Sequence, residues 1–361
     1  MRLESLRTYA GCARDLSSHY HRPLPGTIAK LLMGRVLFGR GPHEFNEYRF
    51  ALKPVWEWRH YVIERQRTRM QRDAAPECFR GIEEDKVRFW ERCADNDLPT
   101  VPIRAVILRG NATAIEGSVP AARSGAELCA LLEPLADFEG FAKPLGGGQG
   151  YGAFTFTVRG GIIATASWTG SAQDLFDHCT SSRFGRAGYL LQPRLHVHPD
   201  LAEVMPGPGL GTIRLVTFLR PDGNITIPWA VMKIPAPGQI VCHPRLGALM
   251  VPVDMQSGRL GTAVGPTADS PVVREHEIHP LTGRRFADTV VPGWIEIIGL
   301  LRRAARAFQE LPCLGWDVAV TEQGPVLIET NWGFGIHSQQ AALNRGLRSE
   351  LRRHFASCSS R

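Results

Sequence analysis

The sequence lacks any run approaching the 18 consecutive apolar residues that a membrane-spanning helix needs. Its opening, MRLESLRTYAG, has no apolar h-region, so a secretory signal is not expected. The eight cysteines, at positions 12, 78, 93, 129, 179, 242, 313 and 358, include no CxxC pair and no regular framework. That spacing argues against a disulfide scaffold and for a reduced, cytoplasmic protein. The twelve histidines show no HExxH motif. His196 and His198 would share a strand face, but one such pair is weak ground for a metal. No internal repeat, low-complexity tract, heptad run or nucleic-acid-binding motif is present, so no nucleic-acid partner is expected.

What is present is a chain of 361 residues with 43% apolar content, enough for a large core and two or three domains. The net charge of +7 is unevenly placed: residues 1–75 hold 14 Lys/Arg against seven Asp/Glu, and the remainder is neutral. This basic, mainly helical segment either contacts an anionic glycan, a membrane surface or an acidic partner, or is simply a solvated helix surface. Its clearest helix is expected over 53–72, KPVWEWRHYVIERQRTRMQR. From Pro76 the texture becomes mixed α/β. Helices are expected at 82–96, 124–136, within SAQDLFDHCTSS, at 294–311 and in a last stretch ending near His354. Strands are expected at 102–110, 138–144, 153–158, 161–167, 188–195, 212–220 and 225–234. The implied division is a basic segment, 1–75, followed by units at 76–195 and 196–361.

LGWDVAVTEQGPVLIETN, residues 314–331, reads as a β-hairpin turning in TEQGP. A turn centred on Gln323 sets Val318 against Ile328 and Val320 against Val326, an apolar face for a core. The other face then carries Asp317 opposite Glu329, with Asn331 farther along and Gly315 across from it. Like charges directly opposite are destabilising. A divalent cation shared by the two acids explains the pairing; separate surface charges on a hairpin edge are the alternative. On the metal reading, Glu329→Gln relieves a repulsion and leaves the metal-free protein as stable or more so.

FAKPLGGGQGYGAF holds five glycines within 146–152 and offers backbone N–H groups to an anion with no Cβ in the way. It is not a P-loop, because Lys143 precedes the glycines. Nor is it a dinucleotide loop, because the strand AFTFTV follows where a helix is needed. A hairpin closing over phosphates and an ordinary glycine-rich hairpin both fit.

The loop, the LLQPRL strand and the Asp317…Glu329-x-Asn331 hairpin occur in the order of the ATP-grasp superfamily. The chain resembles its sugar-transfer-associated branch, related to α-L-glutamate ligases. The segments that carry the resemblance are EDKVRFWERCADNDLPTVP, FAKPLGGGQGYG, LLQPRLHVHPDL, GTIRLVTFLRPDG, HPLTGRRF…VPGW and the hairpin itself. The resemblance implies an α+β ATP-grasp fold, with two α+β lobes holding ATP and the glycine loop as lid. It assigns Lys86 and Lys143 to the phosphates, and Gly146, Gly147, Gly148, Gln149 and Gly150 to the lid. Gln192, Arg194 and Leu195 fall on the adenine-binding strand, where Pro193 has no N–H to donate. Asp200 or His198 is placed near the ribose, although Asp200 equally suits a helix N-cap. Arg214 and Lys233 become catalytic cations facing a phosphate or substrate carboxylate. Asp317, Glu329 and Asn331 become ligands of Mg2+, or of Mn2+ in its place. One departure concerns the acceptor: where relatives carry Asp-Asn and glycines, this chain reads IVCHPRLGAL, with Cys242-His243.

The expected activity is an ATP- and Mg2+-dependent carboxylate–amine ligase working through an acyl phosphate. It would join a small-molecule carboxylate to an amine or a sugar-linked acceptor. The alternative within the fold is a kinase acting on a small-molecule or sugar hydroxyl. Two other classes compete: a retaining glycosidase, since two carboxylates about 5 Å apart suit that chemistry, and a non-catalytic protein binding nucleotide or glycan.

Overall fold

The computed structural model describes residues 3–72, 85–109, 119–135, 137–146, 150–242, 247–267 and 269–358. Gly147, Gly148, Gln149 and His243, together with the start of the expected 82–96 helix, lie outside these residues.

Among the described residues there are two main sheets. The first contains β1 (Ala105–Ile107), β2 (Ala121–Ala122), β3 (Asp137–Pro144), β4 (Phe154–Arg159), β5 (Ile162–Thr165), β6 (Thr169–Gly170) and β7 (Tyr189–Pro193). Its order is β2-β1-β7-β3-β4-β5-β6. Helices Gly125–Leu132 and Ala172–Ser181 cover one face, burying Leu128, Leu132, Leu175 and Cys179 against Ala142, Phe156 and Ile163. The second sheet contains β8 (Thr212–Leu219), β9 (Ile225–Thr226), β10 (Ala230–Ile234), β11 (Leu249–Val253), β12 (Ala263–Thr267), β13 (Ser270–His276), β14 (Cys313–Thr321) and β15 (Gly324–Asn331). Its order is β13-β12-β11-β10-β8-β14-β15, with β9 paired to β8.

Strand periodicity of two decides what each face of the second sheet does. Ile213, Leu215, Ala230, Met232, Leu314, Trp316 and Val318 point to one side and pack on helix Trp294–Ala307 through Ile297, Leu300, Leu301 and Ala304. On the other side Val216, Phe218 and Cys313 meet helix Arg348–Cys358. Val231, Met250 and Val264 on that side meet the N-terminal residues Leu16, Leu31, Phe45, Tyr48, Phe50 and Trp58. Arg214, Lys233 and Asp317 belong to this second face, where the covering layer stops.

Residues 3–72 thus share a core with the second sheet. Helix Lys86–Ala94 bridges the two halves: Phe89 and Cys93 join the second-sheet core, and Val87 meets Val106 and Leu190 of the first. No helix among the described residues is long and apolar enough to cross a membrane.

The structure departs from the expected elements in several places. The 53–72 helix is two pieces, a 3-10 helix Val55–His60 and an α-helix Glu64–Arg72. Between them, buried Gln340 accepts from Val62 N–H at 2.7 Å and donates to Val62 O at 2.8 Å, taking both groups a continuous helix would have used. The 225–234 strand is divided into β9 and β10 around Pro228, and the last helix into His337–Ala342 and Arg348–Cys358. Strands β11, β12 and β13, and helices Leu3–His19 and Leu24–Phe38, were not individually expected.

Candidate active site

A cleft of about 480 Å³ lies between the two sheets. From the first sheet's side it receives Lys143 of β3, Thr155 of β4 and Gln192 of β7. Lys86 enters from the first turn of helix Lys86–Ala94, whose N-cap Asp85 accepts from Val87 N–H at 2.9 Å and Arg88 N–H at 3.2 Å. Lys86 Nζ donates to Leu145 O at 2.9 Å, tying that helix to the start of the glycine loop. Burial pushes the Lys86 pKa down, against the pull of Glu329 and Asp85. Burial likewise lowers Lys143 to about 8, with Glu329 opposing and Lys86 adding to the effect.

From the second sheet come Arg214, Lys233, Asp317, Glu329 and Asn331. Asp317 stands directly across from Arg214 in the β14–β8 register. Its Oδ1 accepts from Arg214 Nε at 2.9 Å and its Oδ2 from Nη2 at 2.6 Å, a bidentate pair. Lys233 Nζ lies 2.7 Å from Oδ1, and Thr212 Oγ1 donates to the same oxygen at 3.4 Å. Arg214 Nη1 also donates to Phe334 O at 2.6 Å. Burial alone would raise the Asp317 pKa, but Arg214 and Lys233 outweigh it and hold the carboxyl far below the usual range. Arg214 is itself raised: burial works downward, and Asp317 more than offsets it.

The hairpin reaches the expected carboxylate pairing by another route. Thr321 pairs with Gly324, so the turn is the two residues Glu322 and Gln323, with Gly324 at φ +106°. A regular ladder from that turn would set Asp317 against Ile328. Instead the register shifts between Asp317 and Val318, and Ile328 is the extra residue of a β-bulge. Val318 therefore pairs with Leu327 and Val320 with Pro325, replacing the expected Ile328 and Val326. Beyond the bulge Asp317 faces Glu329 and Gly315 faces Asn331. A Cβ on Gly315 would lie 2.2 Å from Phe334 Cβ, so glycine there admits the Phe334 segment. Asn331 Nδ2 donates to Glu329 Oε1 at 3.3 Å.

The repulsion argument needs correction. Two cations already neutralise Asp317, so the facing acids need no metal to coexist. Glu329 acts electrostatically on Lys86, Lys143 and Arg214, making it a net attractor in the metal-free cleft.

Residues 65–355, most of the chain, match the family described as sugar-transfer associated ATP-grasp. The chain belongs to that family. Its two-sheet architecture is accordingly the ATP-grasp fold. No curated protein sequence matches the chain. Solved structures resemble it distantly. Biotin carboxylase from Campylobacter jejuni is 11% identical at a TM-score of 0.42, covering 78% of this chain and 47% of its own. D-alanyl-alanine synthetase A from Vibrio cholerae is 11% identical at 0.40, covering 77% and 65%. The D-cycloserine synthetase DcsG is 15% identical at 0.39, covering 86% and 82%. This chain thus spans about half the length of the biotin carboxylase and just under two thirds of the synthetase A.

Of the other positions that the sequence singled out, Gly146 and Gly150 line the cleft. Gly150 has φ +73°, and a Cβ there would fall 2.7 Å from Val241, on the loop after β10. Gln192 lines the cleft but spends its amide N–H on Val101 O at 2.9 Å. Arg194 and Leu195 line it too, with Arg194 donating to Pro208 O at 3.2 Å and lying 3.8 Å from Glu139. Asp200 and His198 are not among the lining residues. Asp200 is exposed on the 3-10 turn Pro199–Leu201, and His198, not Asp200, caps that turn by accepting from Asp200 N–H at 3.2 Å.

Sequence reasoning missed His337, which lines the cleft beside Ser338. Its Nδ1 lies 2.6 Å from Tyr48 Oη and 3.7 Å from Glu47 Oε2, both from the N-terminal segment. Burial lowers its pKa, with Glu64 and Glu44 opposing. The only signal was a histidine six residues after Asn331, just past the hairpin. Cys242 also lines the cleft, but burial pushes its thiol up to about 12, so it is no nucleophile. Among the described residues no group of three or more His, Cys, Asp or Glu converges as a metal cage.

Proposed function

We propose that the cleft binds ATP with Mg2+ and that the protein is a carboxylate–amine ligase acting through an acyl phosphate. The carrying observation is electrostatic: Lys86, Lys143, Arg194, Arg214 and Lys233 line one cleft against only Asp317 and Glu329. Burial of Lys86 and Lys143 against their charged forms suits them to an incoming polyanion, which relieves that cost. The metal requirement is also met by the donor chemistry. Glu329 and Asn331 supply oxygens on one face of β15, the Asn331 amide turning to present its oxygen. Asp317 keeps lone-pair capacity on Oδ2 while holding Arg214 and Lys233 in place. Mg2+ needs only one or two carboxylates beside phosphate and water, and bound there it would draw charge off the transferring phosphoryl group.

In the first step a substrate carboxylate oxygen forms a bond to the γ-phosphorus as the bond to the β–γ bridging oxygen breaks, releasing ADP. Lys86 and Lys143 steady the leaving charge, and Arg214, fixed by Asp317 and Phe334 O, orients the acceptor carboxylate. In the second, an amine nitrogen attacks the acyl carbon and phosphate departs. His337, favoured neutral by burial and held at Nδ1 by Tyr48 and Glu47, takes the amine proton at Nε2. A glycosidase role is disfavoured: Asp317 is kept ionised and engaged by two cations, so it serves neither as acid nor as free nucleophile.

The test is a screen of carboxylate and amine pools for ATP consumption, with hydroxylamine as trap. ADP, phosphate and a hydroxamate are expected, and Glu329→Gln should abolish both turnover and the Mg2+ response. AMP with pyrophosphate would sink the acyl-phosphate reading. A stable phosphorylated product would assign the kinase chemistry instead.

A further inference from the structure

Helix Leu24–Phe38 turns a continuous apolar face outward. It buries only Thr27, Leu31 and Gly34, at positions i, i+4 and i+7. Outward, Leu24, Ile28, Leu32 and Val36 follow one another at four-residue spacing, flanked by Met33 and Leu37. Val36 is 78% and Leu37 63% exposed. Scattered exposed apolar residues need no explanation, but a continuous face marks something it covers or is covered by. The helix is firmly seated: a Cβ on Gly34 would stand 3.4 Å from Phe45 and 3.7 Å from Trp58, and Gly39 closes the end at φ +67°. Lys30 Nζ donates to Ala51 O at 3.2 Å, which brings the following turn to the helix edge. That turn continues into exposed Leu52 and, on the next 3-10 helix, Trp56 at 61%.

We propose that this face docks the protein onto an anionic lipid surface, the helix lying in the interfacial plane. Charge selects the occupant. Exposed Arg22 precedes the helix, Arg35 sits on its outer face and Arg59 follows Trp56. Between Arg22 and Arg59 the acids are Glu44, Glu47 and Glu57, and none of them is fully exposed. Apolar side chains and an aromatic bordered by arginines suit the headgroup boundary of an anionic leaflet. A second copy docking face to face would instead bring two +7 segments together, with repulsion opposing the contact.

The experiment is flotation of the full chain with vesicles of phosphatidylcholine alone or mixed with phosphatidylglycerol. Wild type is expected to float with the anionic vesicles only, and several-fold less when salt rises from about 0.1 to 0.5 M. Leu32→Glu/Val36→Glu should abolish flotation, and Arg22→Glu/Arg35→Glu should weaken it several-fold. All four side chains are solvent-exposed, so an unchanged thermal midpoint will confirm folding. Wild type that ignores anionic vesicles overturns the proposal, as does an apolar-face variant that binds like wild type. A dimer dispersed by Leu32→Glu/Val36→Glu, without vesicle binding, would assign the face to a second copy instead.

Discussion

Binding a polyphosphate in the cleft is expected to draw protons from the buffer. Free Lys143 is pushed down to about 8 by burial, with Lys86 adding and Glu329 opposing. At that pKa roughly a tenth of its amine is neutral at pH 7, half at pH 8 and nine-tenths at pH 9. Phosphate oxygens beside the amine favour its charged form and return the pKa toward about 10.4. The complex therefore binds more protons than the free protein, by about 0.1 at pH 7, 0.5 at pH 8 and 0.9 at pH 9. Because the bound pKa lies above the free one, affinity falls as pH rises, roughly tenfold between pH 7 and 9. Lys86, lowered for the same first reason, adds in the same direction. Calorimetric titration of ATP with Mg2+ in buffers of different ionisation enthalpy reads the proton count directly. Lys143→Met should remove most of it. Heats independent of buffer at pH 8–9 in the wild type would refute the reasoning. The same depression acts on folding. The unfolded chain binds more protons between about pH 8 and 10.4, so ligand-free stability should rise across that window. Below it the whole cost of the charge is present, about 3 kcal/mol for a lysine lowered to about 8. Lys143→Met should accordingly stabilise the ligand-free protein at pH 7 while weakening ATP binding.

Asp317→Asn leaves Arg214 and Lys233 without their anion and should cost about 3–5 kcal/mol in denaturant melts; an unchanged midpoint would mean the ion pairs contribute nothing. Glu329→Gln should lower ligand-free stability by about 1 kcal/mol, because it removes the anion facing Lys86 and Lys143. A gain in stability would restore the repulsion argument. Gly150→Val, at positive φ and against Val241, should cut ATP turnover while shifting the thermal midpoint by only a few degrees; full activity would show that the lid does not close there. His276, His279, His337 and His354 are all lowered chiefly by burial. Their unfolded forms bind protons first, so stability should fall as pH drops through about 6.5. Equilibrium melts that are flat from pH 7 to 5 would contradict this.

The hairpin was legible because alternation over eighteen residues leaves few registers, and the one centred on Gln323 brings Asp317 and Glu329 together. The tighter turn and the bulge that restores this pairing were not legible, since Ile328 is apolar wherever it lands. Arg214 was expected to face a phosphate or substrate carboxylate; that Asp317 pairs with it depends on strand order, which periodicity does not encode. Strands β11, β12 and β13 carry Pro252, Pro266 and Pro271, residues that ordinarily argue against a strand. The 53–72 segment satisfies helical periodicity, yet Gln340, almost 280 residues away, claims the backbone of Val62. His337 was invisible for the same reason, since Tyr48 and Glu47 reach it from the far end of the chain.

The family match opens at residue 65, whereas the folding unit does not. Phe45, Tyr48, Phe50 and Trp58 bury Val231, Met250 and Val264, and Gln340 is satisfied by Val62. A fragment cut where the homology starts would carry every lysine and carboxylate of the cleft and still present a bare hydrophobic sheet to water. Such a fragment should aggregate on expression. Such a cut would therefore separate two parts of the cleft: Lys86, Lys143, Asp317 and Glu329 would stay on the fragment, whereas Tyr48 and Glu47, which hold His337, would be lost.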